Sequence, residues 1–249
     1  MKRLYFGLVL IVLFSACSAK NSQNEGETQA AEATDGVVSD GGSDSSSAKS
    51  EQPEDLIPEG AIRILYLGDS ITAGYGLGEE YAFPAIVQRK AEEAGYSMYT
   101  VNAGISGDTS TGGLNRLEWL LQQQFDVVLL ELGGNDGLRG IDLQLTKANL
   151  DQIIQKTLQK WPETKFVVAG MMVPPNLGHA YTQEFAAIFP AIAKKHNAAL
   201  IPFILEGVGG IPSLNLSDGI HPTAEGHKIL AETVWKALEP VLKTFNATK

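Results

Sequence analysis

Three residues that lie far apart in the sequence have the side chains that a serine-dependent acyl transfer requires. Ser70 follows Gly68-Asp69 at the end of an apolar run, and Asp218 and His221 lie three residues apart near the C-terminus. A serine hydroxyl is a weak nucleophile and needs a neighbouring base, which His221 can supply. A turn of three residues lets the Asp218 carboxylate reach Nδ1 of the imidazole, which leaves Nε2 facing the serine. We therefore expect Ser70 as nucleophile, His221 as base and Asp218 as the residue that orients the base.

Three further groups are candidates for stabilising the oxyanion that such a reaction forms. The Ser70 N–H is the first, because it stands where a strand-like run gives way to small residues that can begin a helix. Gly104 is the second, since a glycine lets its backbone approach a substrate closely. The side-chain amide of Asn135, which follows Gly133-Gly134, is the third. Taken singly, each of these loops also fits an ordinary tight turn with nothing bound.

An α/β sheet must position these residues, because apolar runs alternate with helical periods from residue 61 onward. The unbroken apolar run at 127–130 is typical of a parallel strand that is covered on both faces. The candidate residues follow such runs, and open α/β sheets bind ligands at the carboxyl ends of their strands. The predicted strands are residues 63–67, 97–102, 126–131, 165–171 and 200–202. The predicted helices are residues 82–94, 114–124, 142–160, 182–196 and 223–242.

Charge and cysteine content exclude several classes of function. The chain has 249 residues and a formal net charge of −10, and most of this net charge comes from residues 20–60, which contain ten acidic residues and two lysines. No basic segment typical of nucleic-acid binding is present in the sequence, so we expect no nucleic-acid partner. The single cysteine, Cys17, excludes an intramolecular disulfide and a thiolate metal cluster. No His, Asp and Glu side chains have the spacing of metal ligands, so we expect no metal.

The N-terminal residues have the pattern of a secretory signal. The positively charged start Met1-Lys2-Arg3 precedes an apolar run at residues 4–14 and then Ser15-Ala16-Cys17. This pattern predicts a signal peptide over residues 1–16. A Cys directly after small residues looks like the lipobox of a bacterial lipoprotein, in which Cys17 would carry the lipid. We therefore expect a protein of the bacterial cell envelope or periplasm, anchored through Cys17. Because Ser18 is not an acidic retention signal, the resemblance to bacterial lipoproteins implies the outer membrane as its destination.

Cleavage by ordinary signal peptidase after Ala19, which would release a soluble protein, is the alternative. Residues 17–60 are rich in Ser, Gly, Ala, Glu and Asp and contain few large apolar residues. Such a composition cannot bury enough surface to fold, so it predicts a disordered acidic linker. The folded domain is then expected at residues 61–249.

Four stretches of the chain resemble, in the family's order, the signature blocks of the SGNH (GDSL) hydrolases. They are Gly68-Asp69-Ser70, Gly104, Gly134-Asn135-Asp136 and Asp218-x-x-His221. Their longer contexts are similar to those of the bacterial multifunctional thioesterase, arylesterase and lysophospholipase enzymes. These contexts are residues 68–77, 102–109, 131–140 and 218–222.

The resemblance runs over residues 62–242 and implies a three-layer α/β/α sandwich with a flavodoxin-like five-stranded parallel sheet. It implies no metal and no organic cofactor. It also implies a serine esterase that hydrolyses aryl esters, acyl thioesters and lysophospholipids through an acyl-enzyme. The site residues that it implies are Ser70, Gly104, Asn135, Asp218 and His221.

Other functions stay open on the sequence. A carbohydrate O-deacetylase would use the same residues, and a lipoprotein that only binds lipids or glycans is a further alternative. The Gly-x-Ser-x-Gly elbow of the α/β-hydrolases is excluded, because Thr72 stands where its second glycine belongs. Apolar residues in the loops 171–181 and 203–216 fit an acyl groove, and equally fit packing of the core and loops.

Five polar residues are expected to have structural roles. We expect Asp69 to make a structural hydrogen bond and Asp136 to brace the loop that carries Asn135. His179 is predicted in a surface loop. His196 is predicted to end a helix, where a cation suits the helix dipole. His227 is predicted to be a packing or surface residue of the last helix.

Overall fold

The structure of the protein, a computed structural model, describes residues 57–246. The predicted signal peptide, Cys17 and nearly all of the predicted linker lie outside the described residues. Within residues 57–246, none of the helices combines the length and the apolar character that crossing a bilayer requires.

A five-stranded, fully parallel sheet forms the centre of the described residues, with the strand order β2-β1-β3-β4-β5. The five-stranded parallel sheet predicted from the sequence is thereby confirmed. Its strands are β1 (Ile62–Gly68), β2 (Met98–Gly104), β3 (Val127–Glu131), β4 (Lys165–Ala169) and β5 (Ala199–Ile201). Gly68 pairs with Gly104 on one side and with Glu131 on the other. The first three strands therefore end at the same level, and the loops that follow them meet at one edge of the sheet.

The central strands form because their side chains are apolar on both faces. All five residues of β3 are buried, as are six of the seven in β1. A strand with this composition is stable only between two layers of helices. The sheet therefore holds the strand ends rigidly, which suits a site built on them.

In the part of the chain that the structure describes, seven helices accompany the sheet: α1 (Ser70–Ala73), α2 (Phe83–Glu93), α3 (Ser110–Leu120), α4 (Gly134–Leu138), α5 (Leu143–Lys160), α6 (His179–Lys195) and α7 (Ala224–Asn246). Helix α2 packs against α7, whereas α5 packs against both α3 and α6. These two groups cover the two faces of the sheet and give the three-layer α/β/α sandwich. Short 3-10 turns lie at Glu79–Tyr81, Pro175–Leu177 and Pro212–Leu214.

Four helix boundaries differ from the sequence prediction by three residues or more: the starts of α3 and α6, the end of α3 at Leu120 and the end of α7 at Asn246. Helix α3 begins at Ser110, four residues before the predicted start, because the Thr109 side chain accepts a hydrogen bond from the Gly112 N–H at 3.2 Å and caps the helix. Helix α6 begins at His179, so the prediction that His179 lies in a loop was wrong, although the residue is exposed.

Candidate active site

Ser70, His221 and Asp218 form a continuous hydrogen-bonded chain at the carboxyl edge of the sheet. His221 Nε2 lies 2.9 Å from Ser70 Oγ, and His221 Nδ1 lies 2.7 Å from Asp218 Oδ2. A carboxylate can only accept, so the proton of the neutral imidazole belongs on Nδ1, and Nε2 is left as an acceptor facing the serine hydroxyl. This is the arrangement that deprotonation of a serine requires.

The turn that carries Asp218 and His221 is stabilised by the carboxylate itself. Asp218 Oδ1 accepts hydrogen bonds from the Ile220 N–H at 2.9 Å and the His221 N–H at 3.0 Å. Gly219 has φ = 70°, a left-handed conformation that a glycine adopts without strain. The hydrogen bond to the His221 ring and these two N–H groups lower the pKa of Asp218 to about 2. Asp218 is therefore ionised across the physiological range and holds the imidazole in place.

Ser70 begins helix α1, which consists of a single turn immediately after β1. Asp69 Oδ1 accepts from the Ile71 N–H at 2.9 Å and caps this turn, which is the structural hydrogen bond expected of Asp69. The first amides of a helix have no acceptor within the helix, so the Ser70 N–H is available to a ligand at this point.

Asn135 lies in the first turn of α4 and faces the nucleophile turn. Its Nδ2 donates to Asp69 Oδ2 at 3.1 Å, which uses one of the two amide hydrogens and leaves the other for a substrate. The next residue, Asp136, is fully buried and accepts from the Ser110 N–H at 2.8 Å and from the Thr146 hydroxyl at 3.2 Å. These bonds join the Asn135 loop to α3 and α5, which agrees with the bracing role expected of Asp136.

Gly104 does not offer a free donor. Its N–H donates to Asn102 Oδ1 at 3.0 Å. A Cβ atom on Gly104 would lie 2.2 Å from the backbone nitrogen of Ala73, so a glycine is required here for close packing against α1. The expectation that the Gly104 N–H binds an oxyanion therefore conflicts with its own hydrogen bond, and the residue has a packing role.

Gly107, three residues later, is a glycine whose N–H is free. It has φ = 79°, and among residues 57–246 its N–H has no hydrogen-bond acceptor. Its carbonyl accepts from Arg139 Nη2 at 3.0 Å, and the same nitrogen lies 3.4 Å from Asn135 Oδ1. Arg139 thus ties the Gly107 loop to the Asn135 side chain. The sequence analysis assigned no role to Gly107 or Arg139. A glycine followed by Asp-Thr at the start of a helix could have indicated that Gly107 has a free N–H.

A cavity of about 500 Å³ opens beside Ser70 and His221. Its apolar walls come from the two predicted loops, and the lining residues there include Met171, Met172, Val173, Pro174, Pro175, Phe203 and Leu205. Tyr75, which the sequence did not single out, covers the imidazole of His221, with ring centroids 4.4 Å apart. The cavity can therefore hold an apolar acyl group next to the reacting atoms.

The other histidines lie away from this chain of hydrogen bonds. His196 ends α6, as predicted, and its Nε2 lies 2.6 Å from Asp151 Oδ1. Its imidazole therefore has a carboxylate partner in addition to its position at the C-terminal end of the helix. His227 is buried and accepts the Phe83 N–H on Nδ1 at 3.1 Å, which is a packing role. The part of the chain that the structure describes contains no group of three His, Cys, Asp or Glu residues arranged to hold a metal ion.

Comparison with known proteins gives consistent matches. The model of the GDSL-like lipase/acylhydrolase family matches residues 66–229. The chain is similar to esterase TesA of Pseudomonas aeruginosa, with 42% identity over 183 residues, which cover 73% of this chain and 90% of that protein. It is also similar to thioesterase 1/protease 1/lysophospholipase L1 of Escherichia coli K12, with 41% identity over 73% of this chain and 86% of that protein.

A solved structure with a similar fold is that of the psychrotrophic esterase EstA from Pseudoalteromonas sp., inhibited by monoethylphosphonate. It has a TM-score of 0.69 and 32% sequence identity, and the match covers 73% of this chain and 99% of that one.

Proposed function

The chain belongs to the GDSL-like lipase/acylhydrolase family and is an SGNH-type hydrolase, and on that premise we propose that Ser70, His221 and Asp218 hydrolyse carboxylic esters and thioesters through an acyl-enzyme. The single observation that carries the proposal is the pair of distances that join the three residues, 2.9 Å from Ser70 Oγ to His221 Nε2 and 2.7 Å from His221 Nδ1 to Asp218 Oδ2.

In the first step, His221 Nε2 takes the proton of Ser70 as Oγ attacks the substrate carbonyl. The negative charge that develops on the carbonyl oxygen is stabilised by the Ser70 N–H, the Gly107 N–H and the free amide hydrogen of Asn135. The tetrahedral intermediate collapses, the proton on Nε2 passes to the leaving alcohol or thiol, and the acyl group stays on Oγ.

In the second step, water replaces the leaving group. His221 accepts a proton from the water as its oxygen attacks the acyl-enzyme carbonyl, and the same donors hold the second oxyanion. Collapse returns the proton to Ser70 Oγ and releases a carboxylic acid. No other co-reactant is required.

The substrates that we propose are aryl esters, acyl thioesters and lysophospholipids. The apolar walls of the cavity beside Ser70 support an acyl chain longer than acetyl. The alternative, a carbohydrate O-deacetylase, has the same catalytic groups but needs space for acetyl alone. The dependence of activity on chain length distinguishes the two.

The test is hydrolysis of p-nitrophenyl esters from acetyl to palmitoyl, with Ser70→Ala as the matched variant. We expect the wild type to turn over esters longer than acetyl and Ser70→Ala to lose roughly a million-fold in kcat. Activity restricted to acetyl would favour the deacetylase. Folded wild-type protein without turnover on any ester would contradict the proposal.

We also propose that the protein acts at the bacterial cell envelope, attached to the outer membrane by a lipid on Cys17. The support is the sequence of residues 1–17, with its charged start, short apolar run and small residues before the cysteine. Two proteins similar to this chain come from the bacteria P. aeruginosa and E. coli.

A further inference from the structure

Glu131 is a buried acid at the end of an otherwise apolar strand, directly beneath the nucleophile. It is the last residue of β3 and pairs in register with Gly68, the last residue of β1. Its relative exposure is 1%, whereas an isolated carboxyl would be expected in solvent. Such a residue needs specific partners.

Its partners are the two ends of the turn that carries Ser70. Glu131 Oε2 accepts from the Asp69 N–H at 3.2 Å and from the Thr72 hydroxyl at 2.8 Å. Asp69 immediately precedes the nucleophile, and Thr72 follows it by two residues. One carboxyl oxygen thus spans the turn.

Helix α1 depends on such contacts for its position. It contains four residues, and a single helical turn is not stable by itself, because nucleation fixes several residues for one hydrogen bond. The Ser70 hydroxyl and N–H must therefore be positioned by bonds from outside the helix. Glu131 supplies two of these bonds from a rigid central strand.

The two hydrogen bonds that Glu131 Oε2 accepts, from the Asp69 N–H and the Thr72 hydroxyl, form a clamp on the Ser70 turn. The packing around Gly68 shows how little space this clamp leaves. A Cβ atom at Gly68 would lie 2.0 Å from Thr72 Oγ1 and 2.7 Å from Glu131 Oε2. The space that a side chain would need is already filled by this hydrogen bond. The glycine of Gly68-Asp69-Ser70 is therefore explained by the clamp, since its φ is not among the positive values of the chain.

Asp69 extends the clamp to the oxyanion donor. Its backbone N–H is held by Glu131, while its side-chain Oδ2 accepts from Asn135 Nδ2 at 3.1 Å. The nucleophile turn and the Asn135 amide are therefore fixed relative to each other through two adjacent carboxyl groups.

The electrostatics of this pair favour a neutral Glu131. No lysine or arginine among residues 57–246 forms an ion pair with Asp69 or Glu131. Burial, and then the neighbouring charge of Asp69, raise the pKa of Glu131 well above its usual range, and burial raises the pKa of Asp69 to about 6. The titratable or charged groups that face the pair are His221, whose protonated form would favour an ionised Asp69, and Arg116, which donates to the Gly68 carbonyl at 3.1 Å.

We propose that Glu131 is a positioning residue for the hydrolytic reaction: its Oε2 atom clamps both ends of the Ser70 turn, and through Asp69 it fixes the amide of Asn135. The inference rests on the proposed function, because the geometry that it protects is that of the acyl transfer. The clamp needs an acceptor of the right shape and no negative charge, so glutamine can replace glutamate at this position.

The test compares kcat and KM on one p-nitrophenyl ester for two pairs of variants. Thr72→Val removes one of the two bonds with little change of shape, whereas Thr72→Ser keeps the hydroxyl. We expect Thr72→Val to lose about 10-fold or more in kcat at nearly unchanged KM, since small misplacements of reacting groups are costly. Thr72→Ser should stay within about twofold of the wild type.

Glu131→Gln should likewise stay within about threefold in kcat, because its amide oxygen is the same acceptor, whereas Glu131→Ala should lose roughly 100-fold. Active sites are counted with a fluorophosphonate, which phosphonylates Ser70 Oγ with loss of fluoride, so that a fraction of unfolded protein is not mistaken for a lower kcat.

The matched control is Thr157→Val, which removes the hydroxyl of another fully buried threonine, bonded to the Ile153 carbonyl within α5. It should lower Tm and leave kcat unchanged. The inference is overturned if Thr72→Val keeps wild-type kcat, or if Glu131→Gln loses as much activity as Glu131→Ala. A wild type that neither turns over ester nor reacts with the fluorophosphonate would instead overturn the proposed function.

Discussion

At the scale of single residues, the catalytic groups of this chain are held by side-chain hydrogen bonds rather than by the sheet alone. Asp218 orients His221, and Asp69 orients Asn135. The catalytic base and one oxyanion donor therefore depend on carboxylates that do not themselves touch the substrate, as in other preorganised sites.

Removing the Asn135 amide should reduce the rate without weakening substrate binding. We expect Asn135→Ala to lower kcat by roughly 100- to 1000-fold with little change in KM, because the oxyanion exists in the transition state and not in the bound ester. Steady-state kinetics on the p-nitrophenyl series measures both constants. An Asn135→Ala enzyme with full kcat would remove this residue from the oxyanion hole.

The sequence predicted the residues whose motifs are local and missed those whose partners are distant. Asp218 and His221 are three residues apart, so their spacing alone indicated a contact. Gly104 was assigned an oxyanion role because the sequence does not reveal that Asn102 accepts its N–H. Glu131 was overlooked because its hydrogen bonds join positions about 60 residues apart, which no short motif records.

At the scale of elements, the packing of α2 against α7 contains a buried histidine that acts as a helix cap. His227 of α7 accepts the N–H of Phe83, the first residue of α2, and its ring stacks on the Phe83 ring with centroids 6.2 Å apart. An acceptor on another helix satisfies an amide that α2 cannot satisfy itself.

This contact should make stability depend on pH. Burial lowers the pKa of His227 to about 4, so the folded state resists protonation that the unfolded chain accepts near pH 6.5. The contribution of His227 is present above pH 6.5 and is lost as pH falls towards 4, by up to about 3 kcal/mol. Asp69, whose pKa is raised to about 6, contributes in the opposite direction over part of this range.

The comparison of wild type with His227→Asn isolates the histidine, because Asn Oδ1 can accept in place of Nδ1 and does not titrate. We expect the Tm difference between the two proteins to shift in favour of the variant as pH falls from 7 to 4. A difference that stays constant over this range would mean that His227 does not titrate on unfolding.

The strands and helices were predicted well from the sequence where the hydrophobic periodicity was strong. The five strands agree with the predictions to within two residues at either end. The apolar run of β3 is short and unbroken, which marks a buried strand clearly. The predicted start of α3 lies four residues too far along the chain, because the first four residues of the helix, Ser110, Thr111, Gly112 and Gly113, are poor helix formers. The Thr109 cap and the burial of Ser110 and Gly113 stabilise that turn in the fold, which is a tertiary effect.

At the scale of the whole molecule, the proposed lipid on Cys17 determines where the hydrolase acts. We expect the full chain, produced in a Gram-negative bacterium, to incorporate a palmitate analogue and to sediment with membranes. Cys17→Ser should incorporate none and should be recovered without membrane, while its kcat on soluble esters is unchanged. A wild type that is never labelled would leave cleavage after Ala19 as the explanation, and labelling that persists in Cys17→Ser would contradict a lipid on Cys17.

The cavity beside Ser70 is assembled from parts with separate origins along the chain. Ser70 and Asn135 follow β1 and β3, and His221 stands at the end of the segment after β5, whereas most of the apolar wall comes from residues 171–175 after β4 and 203–205 after β5. Selection can therefore alter the wall without disturbing the groups that break the bond. A lineage carrying this scaffold can acquire a new acyl preference through a few changes in two segments, and loop grafts between homologues should transfer preference while conserving turnover.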